Sequence, residues 1–406
     1  MDYLAFVRKE KRLLSFAVSF TFFSSFGQTF FISLFVPFYL VAFELSNASF
    51  GSLYSAATLT GAMILPYLGQ WIDRISLSKY SLAVSAGLFF AAVLMSISWH
   101  ISIFFISLIL VRLTGQGLSS HTAQATMARV YGTERGKALS VSALGYPLGE
   151  AVLPSIITAM LVVFHWRTIW GIIAGVIALI FIPVVWTLIR TYEKRETHTA
   201  PKVKRSAKED YKVILKDRRT LFIIPAILIP PFWATGLFLY QIAAADELGW
   251  SASLIATAFI SFAIMRILFG IISGPLIDRF TACKLFPFYL IPILLGLLSA
   301  VYFSTNWSAF VYLGMIGVTM GLGSTIKSAL LAEMYGSERI GTVQSLFTTF
   351  MVLSTASSPI LVGTMLDSTF TMHDILYLAI VTTVVSVLLS FRVITSKPVD
   401  ISKPIE

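Results

Sequence analysis

The sequence reads GQWIDR at residues 69–74 and GPLIDR at residues 274–279, in each case at the end of a long apolar segment. A second pair, YGTER at 131–135 and YGSER at 335–339, repeats at nearly the same spacing. Matching motifs at matching ends of apolar segments indicate a chain built from two like halves. In membrane proteins such repeats are typical of secondary transporters that work by alternating access. The positions shared by the first pair are Gly69, Asp73 and Arg74 in one half, and Gly274, Asp278 and Arg279 in the other.

The composition excludes a soluble globular protein. Apolar residues make up 57% of the chain and charged residues only 12%, against about 25% charged residues in an average soluble protein. Most of the apolar segments exceed the roughly 20 residues that cross a hydrocarbon core about 30 Å thick. The sequence therefore predicts an all-α membrane protein, with twelve transmembrane helices in two pseudo-symmetric six-helix bundles. The segments lie near residues 13–43, 50–72, 80–98, 102–131, 137–164, 168–190, 219–245, 251–277, 284–304, 307–334, 341–366 and 375–392.

Three domains and a membrane topology follow from the polar residues. We expect an amino-terminal bundle (1–190), a basic cytoplasmic linker (191–218) and a carboxy-terminal bundle with a short cytoplasmic tail (219–406). Of the 30 Lys and Arg residues, 26 fall at the amino terminus, in the even-numbered loops or in the tail, and only Arg167 falls on the opposite side. The positive-inside rule then places both termini in the cytoplasm, and a bacterial chain in the inner membrane. This topology accounts for the net charge of +10 without nucleic-acid binding.

Several other classes of protein do not fit the chain. The first apolar segment is too long for a signal-peptide core, so we expect it to be retained. One cysteine, Cys283, is too few for a disulfide framework or a zinc site. No nucleophile, metal cluster or nucleotide-binding loop rises above background, so the sequence predicts neither an enzyme nor a cofactor. We expect a monomer in the lipid bilayer whose partners are a small-molecule substrate and protons.

The Gly-x-x-x-Asp-Arg pattern of both loops resembles the loop signature of the major facilitator superfamily, and the likeness extends over the whole chain. The resemblance implies a gating role for the six loop positions. The glycine would permit close helix approach, and the aspartate would pair with a cation or accept from the first amides of a neighbouring helix. The fifth segment, with GYPLGE at 145–150, is similar to that of monocarboxylate and oxalate/formate porters. It also resembles a degenerate form of a drug-exporter motif.

Three residues inside predicted spans are candidates for proton coupling. Glu150 is the only carboxylate well inside a span, and a carboxylate at that depth is costly unless a proton or a cation neutralises it. Arg112 begins a stretch that resembles the superfamily's Arg-x-x-x-Gln-Gly element. His121 lies nine residues later, so a regular α-helix would place the two on opposite faces. The alternatives are a permanently paired Glu150, a packing role for His121, and an Arg112 that only ties its helix to polar groups of its neighbours.

The charges inside the predicted spans favour a small organic anion as the substrate. Arg266 and Lys327 are further cations inside spans, and one carboxylate cannot neutralise three cations, so an anionic substrate is the simplest balance. Alternatively, Lys327 extends to the membrane surface and Arg266 pairs with Glu150 or with carbonyl groups. Gln28 and Tyr240 are expected to add polar groups to the binding cavity. The sequence thus favours proton-coupled transport of a carboxylate; export of drug-like amphiphiles and a transport-dead sensor or scaffold are the alternatives.

Overall fold

The computed structural model describes residues 3–131, 134–190, 214–303, 305–336 and 340–393. Within these ranges the chain is almost entirely helical and has no β-strand. Among the described residues, ten helices are long and apolar enough to cross a membrane, and a bent pair of helices forms an eleventh candidate. The remaining predicted segment, the ninth in chain order, corresponds to a shorter apolar helix at Phe288–Tyr302. The predicted all-α membrane fold is confirmed.

We number these segments α1 to α12 in chain order. The segment α1 is the bent pair Ala5–Gly27 and Thr29–Ala42, whose two parts meet at an angle of 46°. Short helices at Gln241–Glu247 and Ala282–Leu285 lie between the longer ones. The remaining segments are α2 (Asn47–Asp73), α3 (Leu77–Ser96), α4 (Ile101–Val130), α5 (Arg135–Val163), α6 (Trp166–Ile189), α7 (Arg218–Leu239), α8 (Ala252–Phe280), α9 (Phe288–Tyr302), α10 (Asn306–Tyr335), α11 (Val343–Leu366) and α12 (Met372–Val393).

The chain divides into two compact units. Unit 1 comprises Met1–Leu45 and Ser52–Pro201, and unit 2 comprises Ser46–Gly51 and Lys202–Glu406. The first turn of α2 is therefore grouped with unit 2. Most of the predicted linker at 191–218 lies outside the described residues, which resume at residue 214. The domain boundaries expected from the sequence accordingly stay a prediction.

Large apolar side chains cover the outer surface of the helices. Val162 and Leu179 of unit 1 are 84% and 79% exposed, and Leu221 and Ile271 of unit 2 are 65% and 69% exposed. A water-soluble protein rarely exposes contiguous apolar surface of this kind. In a bilayer the same surface meets lipid tails, while the helical backbone satisfies its own hydrogen bonds. The surface is that of an integral, multi-pass membrane protein.

Small residues set the distances between helices inside each unit. In unit 2, α8 and α10 cross so closely that a Cβ atom on Gly321 would lie 2.6 Å from the carbonyl oxygen of Arg266. Close backbone approach at small residues is the usual way in which helices associate in lipid. It places the backbone of Arg266 directly against α10, the helix that also carries Lys327.

Candidate functional site

An interruption of α1 positions the first candidate residues of unit 1. Residues Ser24–Gly27 form a 3₁₀ turn, and the half-buried Gln28 is extended, with φ −80° and ψ 154°. The Gln28 amide donates a hydrogen bond to the Ser25 carbonyl over 3.0 Å. Gly27 meets the backbone of Gly115 on α4, and a Cβ atom on Gly115 would lie only 2.8 Å from the Gly27 nitrogen. The break frees carbonyl groups from the regular helical ladder, so side chains of other helices can bind them.

Arg112 binds one of these carbonyls. It begins a π-helical stretch of α4, Arg112–Ser119, and its Nη1 donates to the Gly27 carbonyl over 2.8 Å. Its Nε donates to Thr58 Oγ1 over 3.1 Å, and its guanidinium lies 4.8 Å from the centre of the Tyr54 ring. Arg112 is only 6% exposed, and all three partners are neutral. This geometry is the one expected if Arg112 ties α4 to α1 and α2, and its role in proton coupling stays a prediction.

His121 binds further along the same pair of helices. Its half-buried ring places Nε2 at 3.2 Å from the carbonyl oxygen of Gly69 on α2. Arg112 and His121 therefore both reach α2, through Thr58 and Gly69, and the expectation of opposite faces is wrong. The π-helical stretch between them is the reason, because a π turn contains more residues than an α turn and rotates the later side chains about the axis.

Glu150 is buried beside the interruption of α1. Its side chain lies on α5 and the residue is 6% exposed. The preceding residue, Gly149, lies against the Ser25 side chain, and Gly145 one turn earlier lies against Thr21. The two glycines let α5 approach α1, which brings Glu150 to the depth of the 3₁₀ turn. Burial at this depth suits a proton-binding carboxyl group and a permanently paired one alike, so its coupling role stays a prediction.

Unit 2 holds the other two candidate cations. The side chains of Arg266 on α8 and Lys327 on α10 are both half-buried. The Arg266 guanidinium lies 5.8 Å from the centre of the Phe262 ring, one turn earlier on α8. Among the described residues, no carboxylate lies within salt-bridge distance of Lys327. An acidic side chain of that part of the chain therefore does not neutralise this lysine.

Tyr240 forms hydrogen bonds with backbone carbonyl groups. It directly follows α7, is buried, and its hydroxyl donates to the Asn47 carbonyl over 2.7 Å. The Pro359 carbonyl lies 3.2 Å from the same oxygen. Burial, helped by the nearby Asp367 carboxylate, raises the pKa of this phenol above its ordinary value, so the hydroxyl remains a donor. The hydroxyl thus binds backbone carbonyls within unit 2, and the expected substrate-binding role of Tyr240 stays a prediction.

The first copy of the loop motif is held by α4. Asp73 is the last residue of α2, and its Oδ1 lies 2.5 Å from Nη2 of Arg129. Nη1 of the same arginine lies 3.4 Å from the Ile72 carbonyl. Arg74 donates to the side-chain oxygen of Gln70 over 2.6 Å. The cation expected to pair with the motif aspartate is thus Arg129, which the sequence reasoning did not single out.

The second copy of the motif has different surroundings. The helix α8 continues through Asp278 and Arg279 to Phe280. Asp278 is exposed and forms no ion pair with the described residues, and the Arg279 guanidinium lies 5.1 Å from the Phe280 ring centre. A Cβ atom on Gly274 would have no neighbour within 4 Å in the described part of the chain. The close helix approach expected of this glycine is therefore wrong for unit 2.

Carboxylates that the sequence reasoning missed bind the starts of helices in unit 2. Asp367 accepts from the backbone amides of Asn47 and Ala48 over 2.9 and 2.7 Å. Partial burial would raise the pKa of Asp367, but its hydrogen bonds hold that pKa below its ordinary value. Glu247 accepts from the amide of Met372 over 2.7 Å. The first amides of a helix lack partners within it, and only acidic residues at segment ends hint at these contacts in the sequence.

A third such carboxylate lies beside the second loop motif. Glu333, on α10, accepts from the amides of Ala282 and Cys283 over 2.8 and 3.0 Å. The thiol of Cys283 is buried, and burial followed by the adjacent Glu333 carboxylate raises its pKa to about 12. An acidic side chain from another helix thus replaces the local cap that the Ser76 side chain provides at the start of α3, where it accepts from the Lys79 amide.

Comparison with known families identifies the architecture. The sequence profile of the Major Facilitator Superfamily matches residues 18–244 and 221–406. The chain belongs to this superfamily. Family and fold are those of secondary transporters, and transporters are not enzymes. The superfamily resemblance noted in the sequence is therefore confirmed. A comparison with functionally curated proteins finds no match.

Solved structures share the fold at low sequence identity. A bacterial homologue of the human lysosomal transporter Spinster is 15% identical, covers 95% of this chain and 96% of its own, and has a TM-score of 0.70. The nucleoside transporter NupG is 14% identical over 94% and 97% of the two chains, with a TM-score of 0.69. A D-xylose–proton symporter is 17% identical over 97% and 99%, with a TM-score of 0.69. These identities establish the fold alone, and the closer similarity to monocarboxylate and oxalate/formate porters is not confirmed.

Proposed function

We propose that this chain is a proton-coupled transporter of a small organic anion, with a carboxylate as the substrate class. The excess of positive charge inside the spans supports the proposal. Arg112, Arg266 and Lys327 accompany one carboxylate well inside the spans, Glu150. The groups described around Arg112 are neutral, and Lys327 has no ion pair among the described residues. Charge within a membrane protein is costly unless balanced, and a bound anion would supply the balance.

Proton coupling rests on Glu150. It is buried beside the interruption of α1, and a carboxyl group in such surroundings can change its charge by binding one proton. A proton symporter for D-xylose has the same fold, so proton coupling is compatible with this architecture. Coupling a proton to an anion would also reduce the net charge moved per transport cycle.

The substrate class is tested by uptake into proteoliposomes of radiolabelled lactate, succinate and citrate, with and without a pH gradient. Arginine presents a planar fork of donors that suits a carboxylate, whereas lysine presents a point charge. We expect Arg266→Gln to weaken binding of the transported acid by about one to two orders of magnitude, and Arg266→Lys to weaken it although the charge remains. The control is Arg392→Gln, at an exposed arginine near the end of α12 that belongs to none of the candidate sites. Wild-type binding by Arg266→Gln, or binding of lipophilic cations in place of acids, would favour drug export.

The coupling residue is tested separately with Glu150→Gln, which imitates the protonated carboxyl group. Accumulation driven by a pH gradient should be lost, whereas exchange of substrate at equal pH should persist. Glu134→Gln is the control, since Glu134 pairs with Lys137 at a partly exposed position near the start of the same helix. Undiminished accumulation by Glu150→Gln would assign coupling to another residue, and His121 would be examined next.

We further propose that both termini and the even-numbered loops face the cytoplasm, on the basis of the cation distribution. Cys283 is a poor reporter because it is buried. A better probe is Ser78→Cys in a Cys283→Ser background, since Ser78 lies in the half-exposed first turn of α3. A membrane-impermeant maleimide should label inside-out vesicles and spare right-side-out vesicles. The opposite pattern would reverse the topology.

A further inference from the structure

A groove of about 550 Å³ opens at the end of unit 1 where α1 stops and α6 begins. Its walls are mainly apolar side chains from the last two turns of α1, together with Trp99, Trp166 and Arg167. The groove is open to the outside, since Val41 is 82% exposed and Trp99 is 75% exposed. It lies apart from the α1 interruption, and none of the candidate transport residues lines it.

Arg167 is held rigidly in this groove. Its Nε and Nη2 both donate to the Ser98 carbonyl, over 3.1 and 2.9 Å. Its guanidinium lies 4.2 Å from the ring centres of Trp99 and of Trp166. These contacts use one edge of the guanidinium fork and leave Nη1 without a hydrogen bond to any described residue. A fixed arginine with a remaining donor is suited to an oxyanion such as a phosphate group.

The groove lies at the level where a membrane span meets the headgroup region. Trp166 is the first residue of α6 and Ala42 is the last residue of α1, and Trp99 lies between α3 and α4. Tryptophan is enriched at this level of membrane proteins. Arg167 is also the one cation among the loops of its side in the sequence. At this level of a bilayer we expect a positive charge to meet lipid phosphates and an apolar wall to meet acyl chains.

We propose that this groove is a binding site for one phospholipid of the leaflet on that side of the membrane. The lipid phosphate binds Arg167, and the start of an acyl chain packs on Phe38 and Val41. Charge complementarity and the exposed apolar wall favour a lipid over a free phosphate ion, because a free ion would leave the apolar wall in water. The proposal does not depend on the transported substrate.

The test is native mass spectrometry of the purified chain in detergent, titrated with phosphatidylglycerol. The wild type should retain one tightly bound lipid, and Arg167→Gln should bind it about tenfold more weakly, as expected for loss of one charge-assisted contact. The matched control is Arg392→Gln. That arginine also lies over an aromatic ring, at 5.0 Å from Phe222, but in unit 2. Its substitution should leave the tight lipid in place.

A second variant keeps the test decisive if Arg167→Gln loses stability through the unpaired Ser98 carbonyl. Ala42→Trp adds a large side chain to the groove and leaves Arg167 itself unchanged, and Ala42 is exposed. It should displace the tight lipid while the thermal midpoint in detergent stays within a few degrees of the wild type. Retention of the lipid by Ala42→Trp, or equal loss from Arg392→Gln, would overturn the proposal. So would stabilisation by inorganic phosphate alone that matches the effect of phosphatidylglycerol, since it would identify a free-anion site.

Discussion

The two copies of the loop motif share their residues but not their contacts. In unit 1, Asp73 pairs with Arg129 on α4. In unit 2, Asp278 is exposed, and position 333 of α10, which corresponds to position 129 at the repeat spacing of 204, holds a glutamate. Arg129 reaches the carbonyl end of α2, whereas Glu333 binds the amide start of Ala282–Leu285. Each charge thus lies at the helix end of opposite partial charge.

This difference teaches that a repeated motif need not have a repeated mechanism. In unit 1 the motif aspartate itself makes the supporting contact. In unit 2 the support comes from a carboxylate on the neighbouring helix, and the motif aspartate is left exposed. Within each unit, a latch built on the motif aspartate has structural support only at Asp73.

The largest expected difference is in thiol reactivity at equivalent loop positions. Cys283 corresponds to Ser78 at the motif spacing of 205. The thiolate is the reactive species, and a pKa raised from 9.0 to about 12 lowers its population near pH 8 by about a thousandfold. A thiol introduced by Ser78→Cys, in a Cys283→Ser background, lies near a helix amino terminus, which favours the thiolate.

We therefore expect maleimide to label position 78 at least about a hundredfold faster than Cys283 in the folded chain. Raising the pH should increase the Cys283 rate about tenfold per unit up to pH 11, since the thiolate fraction grows until the pKa is reached. The rate at position 78 should level off near pH 9. Similar rates at pH 8 would show that Glu333 and burial do not protect Cys283.

The next largest effect is expected from removing the carboxylate cap. Glu333→Ala leaves the amides of Ala282 and Cys283 without their acceptor, which should cost about 1 to 2 kcal/mol of unfolding free energy. Arg129→Ala removes one partly exposed ion pair and should cost less than about 1 kcal/mol. The measurement is thermal unfolding of both variants in the same detergent, which compares their losses of stability. A larger loss from Arg129→Ala would reverse the assignment of support in the two units.

The sequence predicts where the helices lie, but not where their backbone departs from α-helical geometry. Hydropathy alone located the twelve segments because each must be apolar over its whole length to cross lipid. The 3₁₀ turn at Ser24–Gly27 and the π-helical stretch at Arg112–Ser119 meet at one tertiary contact, where Gly27 lies against Gly115. No local pattern encodes that contact. The faces of Arg112 and His121 were therefore mispredicted, although both were singled out correctly as polar groups inside a span.

The candidate site was predictable in its residue types and less so in its partners. Glu150 and Arg112 stand out because charge is rare inside spans. The partners of the Tyr240 hydroxyl, the carbonyls of Asn47 and Pro359, lie more than 100 residues away along the chain, so no local pattern indicates them. Glu333 and Asp367 escaped notice because the amides that they bind lie 50 and 320 residues away, beyond the reach of any capping pattern.

A smaller difference is expected between the two motif glycines. Both lie in helices, where alanine is favoured over glycine by about 0.5 to 1 kcal/mol. Gly274→Ala meets no described atom and should gain this stability, whereas a Cβ atom on Gly69 would lie 3.3 Å from Nε2 of His121. Gly69→Ala should therefore gain less or lose stability. The measurement is the thermal midpoint of each variant in detergent. In a His121→Ala background, Gly69→Ala should raise the midpoint as Gly274→Ala does, because the crowding atom is gone.

The smallest effect is expected for the motif aspartates themselves. The Asp73 side chain is 61% exposed although it pairs with Arg129, and an exposed ion pair contributes only about 0.2 to 1 kcal/mol. Asp73→Asn should lower the thermal midpoint slightly, and Asp278→Asn, without such a pair, should leave it unchanged. Added salt should reduce the Asp73→Asn effect, because exposed charges are screened within about 10 Å at 0.1 M ionic strength. If Asp73→Asn instead alters transport more than stability, the pair of Asp73 with Arg129 acts on the conformational balance. Equal effects of Asp73→Asn and Asp278→Asn on transport would show that the two loops contribute alike despite their different contacts.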